Sequence, residues 1–378
     1  MINKILLAPD SFKGSLTALE VCKAMEEGIR RVLPDVDIVQ VPMADGGEGT
    51  VQSLVDATNG ELLKAKVTGP LGNPVTATYG VLGDGKTGVI EMAEASGLHH
   101  VNALTQNPLV TTTYGTGELI VELINRGITQ IILGLGGSAT NDGGAGMAQA
   151  LGYELLKFDG SPIEFGGGAL DQLDRIGVEQ VHPKLKDVTF IVASDVNNPL
   201  CGPDGASSVF GPQKGATAEM IDILNANLKY YARVIKRDIG RDVIHLPGAG
   251  AAGGLGAGLL AFTQAELKRG IDIVIEYSDF KAKAKGVDLC LTGEGAMDFQ
   301  TKFGKTPYGV AQAMNEVSPK AKVIAVVGKI GEGIEELYSE GIDAVFGTAP
   351  GASTLEALVE DAGVNVSRTV ENVVRTIR

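Results

Sequence analysis

Short apolar runs and amphipathic stretches alternate at both ends of this chain, and that rhythm leaves few folds open. At the start, "KILLAPD" reads as a buried strand. "TALEVCKAMEEGIRRVL" reads as a helix, with Val21, Met25, Ile29 and Val32 on one face. Thr17 and Glu20 have capping-box spacing, which marks where that helix begins. "VDIVQVPM" and "GTVQSLVDATNG" repeat the pair. Near the other end, "GVDLCLTGEG", "AKVIAVVG" and "IDAVFGT" read as strands, with helices at "TPYGVAQAMNEV" and "STLEALVEDA". Strands alternating with helices predict a parallel sheet covered on its faces. After Gly60 the texture changes. "ELLKAKVTG", "PVTATYGVL" and "TGVIEMAEA" follow one another as strands joined by short turns, a meander rhythm. Helices at "GTGELIVELINRG", "GAGMAQALG" and "ATAEMIDILNANLKYYARVIKRD" then enclose strands at "TQIILG" and "VTFIVASD". Matching ends around a different middle predict one discontinuous domain, residues 1–63 with 287–378. It carries an inserted domain over residues 64–286.

Composition agrees. A chain of 378 residues suggests two domains, and 44% hydrophobic residues supply their cores. The 52 glycines cluster at short loops between apolar runs, as an α/β enzyme with tight turns requires. Net charge is −14 and no Lys/Arg block is present, which excludes nucleic acid as the expected partner. Cys22, Cys201 and Cys290 are far apart, so reduced thiols in a cytoplasmic protein are expected. The four histidines form no HxxxH or HxH pair, which argues against zinc. The apolar run in "MINKILLAPDS" is too short for a signal peptide. The longest uncharged stretch, "PGAGAAGGLGAGLLAF" with Thr263 and Gln264, falls short of a membrane span of about 20 apolar residues. No membrane partner is expected.

Two glycine motifs need separating. "GVLGDGKT", Gly80–Thr87, matches the P-loop pattern letter for letter. A P-loop needs a helix directly after its Lys-Thr, because the helix N-terminus helps hold phosphate. Here "GVIEMAEA" follows, so a hairpin turn is expected instead. "GLGGSATNDGGAG", residues 134–146, lies between a strand and a helix and contains Gly134-x-Gly136-x-x-Ala139, the letters of the dinucleotide fingerprint. Asp159 even lies about 20 residues on, where that fingerprint asks for an acid. "SATNDGG" intervenes before the helix, however, and Asn-Asp-Gly-Gly is turn chemistry. A packing turn would need no polar side chains. Gly136 and Gly137, with Ser138, Thr140, Asn141 and Asp142, suit a ligand loop.

Other strand ends carry similar chemistry. "LLAPDSFKGS" offers Asp10, Ser11 and Lys13. "VASDVNNPLCGPDGAS" offers Asp195, Asn197 and Asn198, and "FGPQKGA" adds Lys214. "LTGEGAMDFQTKFGKTPYGVA" offers Glu294, Asp298, Gln300, Thr301 and Lys305 ahead of a helix starting near Pro307. A single aspartate at a strand end is usually a turn or cap residue. Several such ends together form a constellation at the edge where α/β sheets bind ligands. Asp and Asn are hard oxygen ligands suited to Mg²⁺, and Lys supplies charge for phosphate. Together they point to phosphoryl transfer.

Taken in order, "APDSFKGSLTA" (8–18), "PMADGGEGT" (42–50), "GLGGSATNDGGAGMAQALG" (134–152), "SDVNNPLCGPDGAS" (194–207), "FGPQKGA" (210–216) and "LTGEGAMDFQTKFGKTPYGVA" (291–311) resemble the bacterial glycerate kinases of the first type. The resemblance is collinear over nearly the whole chain. It implies a Rossmann/flavodoxin-like parallel-sheet domain and an inserted α/β domain around a cleft. It also implies ATP and Mg²⁺ as cofactors and D-glycerate as the small-molecule substrate, within glycerate- and glucarate-type carbon catabolism. The expected product is 2-phosphoglycerate, with 3-phosphoglycerate or a related hydroxy acid as the alternative. Within the motifs, Lys13 and Lys305 are candidates for charge on phosphate or carboxylate. Asp195 and Asp298 are candidates for metal ligand and general base, with Asp45 and Asp10 next. Asp10, Ser11, Gly46, Gly47, Glu48, Gly136, Gly137, Ser138, Thr140, Asn141, Asp142, Asn197, Lys214, Glu294 and Gln300 are the candidate substrate and phosphate contacts. A homo-oligomer is left open. The rivals are a nicotinamide-dependent dehydrogenase, resting on the fingerprint letters, and a non-catalytic two-domain binding protein.

Overall fold

A computed structural model describes residues 2–378. In chain order the strands of its two larger sheets are β1 (Lys4–Pro9), β2 (Asp37–Gln40), β3 (Glu61–Thr68), β4 (Pro74–Val81), β5 (Thr87–Glu91) and β6 (Gln130–Gly134). There follow β7 (Thr189–Ala193), β8 (Ala265–Lys268), β9 (Leu289–Gly293), β10 (Lys322–Val327) and β11 (Ala344–Gly347). The chain divides into two compact units. One comprises residues up to Asn59 together with Arg269–Arg378, and the other is the continuous stretch Gly60–Lys268.

The first unit holds a five-stranded sheet in the order β11-β10-β9-β1-β2, parallel throughout. Its central strands are apolar almost end to end, as strands covered on both faces must be. The helix Ala18–Arg30 starts at the expected capping box, with Thr17 and Glu20 each satisfying the other's backbone N–H. Val21, Met25 and Ile29 of that helix pack with Ile5, Leu7, Leu289 and Leu291 into one core. The final helix, Ala362–Ile377, adds Val366, Val370, Val373 and Val374 to it.

The second unit holds a six-stranded mixed sheet in the order β8-β7-β6-β5-β4-β3. The meander read from the sequence is present: β3, β4 and β5 pair antiparallel, and β5 through β8 pair parallel. The P-loop letters form the β4–β5 turn. Asp84 accepts hydrogen bonds there from the backbone of Lys86 (2.8 Å) and Thr87 (2.9 Å) and from the Thr87 hydroxyl (2.7 Å). Thr87 opens a strand, so no helix N-terminus faces that turn.

The joins differ from those expected at 63/64 and 286/287. They fall at 59/60 and 268/269. The reason on the second side is the helix Gly270–Tyr277, which packs on the helix Thr306–Val317 so closely that a Cβ on Gly309 would lie 2.2 Å from Ile271. Its strand-like composition, "GIDIVIEY", hid it. Among the described residues no helix is long and apolar enough to cross a membrane.

Candidate active site

In the first unit, the carboxyl edge of the parallel sheet gathers charge. β1 ends at Pro9, and the backbone N–H of Asp10 donates to Gly293 O of β9 at 2.8 Å. Gly293 is required there, because a Cβ would lie 1.9 Å from Val326 O. Asp10 is buried. Its Oδ1 accepts from the Ser11 backbone (2.6 Å) and its Oδ2 from the Thr306 hydroxyl (2.5 Å). Burial, with the charge of Asp45 added, pushes the Asp10 carboxyl up to about 6. Those two hydrogen bonds and Lys13 oppose the shift.

Glu294 follows the end of β9. Its Oε2 stands 3.7 Å from Lys305 Nζ, and its Oε1 accepts from the Thr301 hydroxyl at 3.1 Å. Burial pushes Glu294 up to about 7 against the pull of Lys305 and Thr301, with Asp10 and Asp45 adding to the rise. The intervening loop is built to hold this geometry. Asp298 caps the short turn Phe299–Phe303, accepting from the Gln300 backbone at 2.9 Å, while its own N–H donates to Thr301. Lys305 is the N-cap of the helix Thr306–Val317, which has Pro307 in its first turn. The positive end of that helix therefore lies beside the acids.

Lys13 projects into solvent from a tight turn closed by reciprocal backbone hydrogen bonds between Phe12 and Leu16. The turn lines a pocket of about 210 Å³ with Ser11, Glu48, Gly49 and Gln52. Gly46 is buried, and Gly47 donates its N–H to Asp45 Oδ1 at 3.1 Å. Glu48 and Gln300 are exposed.

In the second unit, the 134–146 loop divides into a front and a back. Gly136 and Gly137, just past the end of β6, are exposed. So are Asp195 and Asn197, just past the end of the neighbouring β7. Ser138, Thr140, Asn141 and Asp142 are buried. Asp142 accepts from the Thr113 backbone (2.9 Å), the Thr113 hydroxyl (2.9 Å), Gly144 N (3.1 Å) and Gly146 N (3.2 Å). Burial raises its carboxyl above the usual range. Asn141 donates to the Ser207 hydroxyl at 2.9 Å. Lys214 is 1% exposed, and its ammonium donates to Thr140 O at 2.6 Å. Burial pulls this lysine down to about 7, opposed by Asp142.

The structure places the expected residues in two settings. Asp142 and Lys214, expected from the sequence as ligand contacts, lie buried within the unit behind the loop. The carboxylates pushed toward neutrality at a strand end are Asp10 and Glu294, whereas Asp298 serves as a cap and Asp195 stands exposed. Thr306 and Thr113 also build the site, and the sequence offers one hint of them, a threonine directly after Lys305. The dinucleotide reading fails on geometry, since the helix after β6 does not open until Ala145. Among the described residues no group of three or more His, Cys, Asp or Glu side chains could hold a metal ion.

Acids and lysines at the carboxyl ends of parallel strands place this chain in the class of α/β proteins that bind ligands at that edge. Comparison with known proteins narrows it. Residues 5–378 match the model of the glycerate kinase family. A glycerate kinase of Bacillus subtilis is 53% identical over 99% of this chain and 98% of its own length. A glycerate 2-kinase of Escherichia coli K12 is 49% identical over 99% of this chain and 98% of its own. A crystal structure from Salmonella typhimurium LT2, assigned as a glycerate kinase 2, superposes with a TM-score of 0.90 at 47% identity. It covers 99% of this chain and 98% of its own. The chain belongs to the glycerate kinase family and is an enzyme, a phosphotransferase acting on an alcohol group.

Proposed function

We propose that the enzyme transfers the γ-phosphoryl group of ATP to the 2-hydroxyl of D-glycerate, giving 2-phosphoglycerate and ADP. The Asp10–Glu294–Lys305 cluster at the sheet's carboxyl edge supports the phosphoryl transfer, and the 49% identity to a glycerate 2-kinase supports glycerate and its 2-position. Attack by the hydroxyl oxygen on the γ-phosphorus forms one P–O bond and breaks the bond to ADP. The hydroxyl proton needs an acceptor, and a base works best with a pKa near the operating pH. Glu294, raised to about 7 and only lightly hydrogen bonded, fits that task. Lys305 and Lys13 supply positive charge for phosphate or for the glycerate carboxylate. In the second unit, Gly136 and Gly137 offer backbone N–H groups to an anion, and Asp195 and Asn197 stand exposed at the same edge.

The donor set also fits Mg²⁺. Asp10 and Asp45 are hard oxygen donors that repel one another, and Mg²⁺ in kinases takes one or two carboxylates together with phosphate oxygens and water. These two side chains would hold the ion, which would neutralise charge on the phosphates. Free thiols at Cys22, Cys201 and Cys290 accord with the cytoplasm as its compartment, and glycerate catabolism is the role proposed for the reaction.

The test is incubation with MgATP and D-glycerate, followed by ADP quantitation and phosphorus NMR of the product. A phosphate resonance coupled to the C2 proton is expected. Absence of ADP formation, or phosphate on C3, would sink the reading.

A further inference from the structure

We propose that Lys214 is a positioning residue for this reaction, holding the back of the 134–146 loop so that its front keeps Gly136 and Gly137 aimed at an anionic ligand. The inference rests on the reading of that loop as a ligand loop. Lys214 comes from the short turn Pro212–Lys214, ahead of the helix Ala218–Asp238, and its ammonium reaches a carbonyl 74 residues away in sequence. A buried ammonium is expensive unless it is paired and hydrogen bonded. Asp142 is its charged neighbour, yet that carboxylate already has four donors from its own surroundings. Neutralising Asp142 through a hydrogen bond is therefore not what the lysine geometry achieves. Its short bond goes to Thr140 O, three residues beyond Gly137.

The front of the loop is held from other directions. Gly137 O accepts from Leu98 N at 2.9 Å, and Ala139 N donates to Ser96 O at 2.9 Å. The Thr111 hydroxyl donates to Ala139 O at 2.9 Å. Past Thr140, Gly143 N donates to Gly253 O at 3.1 Å. Lys214 supplies the tie between these two sets, at the point where the chain turns from the exposed front into the buried anchor. An apolar side chain of equal length would fill the space without fixing the carbonyl. The expected consequence is selective. Loss of the tie loosens ligand placement and leaves the proton acceptor in the other unit untouched.

The experiment compares Lys214→Met, Lys214→Gln and Gly136→Ala with the parent enzyme, in steady-state kinetics with ATP and D-glycerate varied separately and with urea unfolding alongside. Lys214→Met should raise one KM by about tenfold, the worth of one charged hydrogen bond, with kcat changed far less. Lys214→Gln, which keeps an N–H donor, should recover part of that loss. Gly136→Ala should raise the same KM. The inference is overturned if Gly136→Ala raises a KM while both Lys214 variants stay within about twofold of the parent, a change worth under one hydrogen bond. It is equally overturned if their activity falls only in proportion to the folded fraction. If Lys214→Met does not fold, Lys214→Gln decides by the same criterion. If Gly136→Ala leaves both KM values unchanged, the ligand-loop reading itself fails, and the Lys214 inference falls with it.

Discussion

Both units bury carboxylates beside a lysine at the end of a strand, and counting donors separates their uses. A carboxylate offers about four acceptor sites. Asp142 has four donors on it, all from its own unit, and no exposure. Glu294 has one hydroxyl donor and a lysine at 3.7 Å, and its side chain keeps 13% of its surface open. The first acid is saturated and acts as framework. The second has acceptor capacity left and an environment that makes protonation easy near neutral pH, which is the condition of a group that exchanges protons.

The comparison breaks most sharply on turnover. Glu294→Gln should lower kcat by about 10²- to 10⁴-fold, the usual contribution of a general base, while ATP still binds. In the parent, kcat/KM should rise with pH up to about 7 and then level, and this limb should vanish in the variant. Turnover within a few-fold of the parent would remove Glu294 from the chemistry. The next effect is on stability. Asp142→Ala strands the N–H groups of Thr113, Gly144 and Gly146, and should cost about 3 kcal/mol or more in urea unfolding. A loss under about 1 kcal/mol would mean the four donors are not anchoring the loop.

A subtler effect at Glu294 depends on pH and runs opposite to the loss expected from Asp142→Ala. The folded state raises Glu294, so the stability this group supports is present below about pH 4 and is lost as pH rises through about 7. Glu294→Gln should therefore unfold at higher urea than the parent at pH 8, by on the order of 2 kcal/mol, with the gap closing at pH 4. Equal midpoints at both pH values would show that the carboxylate is not buried as described. The smallest effect is expected at Asp298→Ala, which removes a cap and should cost about 1 kcal/mol, read as a shift in the thermal midpoint. A much larger loss of turnover without that shift would return Asp298 to the reacting groups.

The fold was largely legible because its signals are local. Period and capping marked the helix Ala18–Arg30, and the strand after Thr87 ruled out a P-loop. Beyond "STLEALVEDA" the sequence does not mark the helix Ala362–Ile377, since its apolar positions are mostly valines, which suit strands equally. The strand β8 in "TQAELKRG" carries no strand signal either, being short and charged. The site was half legible. Asp10, Glu294 and Lys305 were visible as polar residues at strand ends, but burial decides what such residues do, and burial depends on neighbours far away in sequence. Thr306 meets Asp10 across 296 positions. The same distance effect hides the partner of Lys214, a carbonyl 74 positions away that "FGPQKGA" does not reveal.

One feature of the sheet order bears on synthesis. β1 leaves the ribosome early, but its neighbour β9 is 284 positions later, as the bond between Thr292 and Ala8 records. Until then β1 has only β2 beside it and shows one long apolar edge. The strands of the second unit all lie between Glu61 and Lys268, so that unit can close its sheet while the first still waits. Nascent chains stopped near residue 270 should therefore pair a protease-resistant middle with a first segment that is still readily cut.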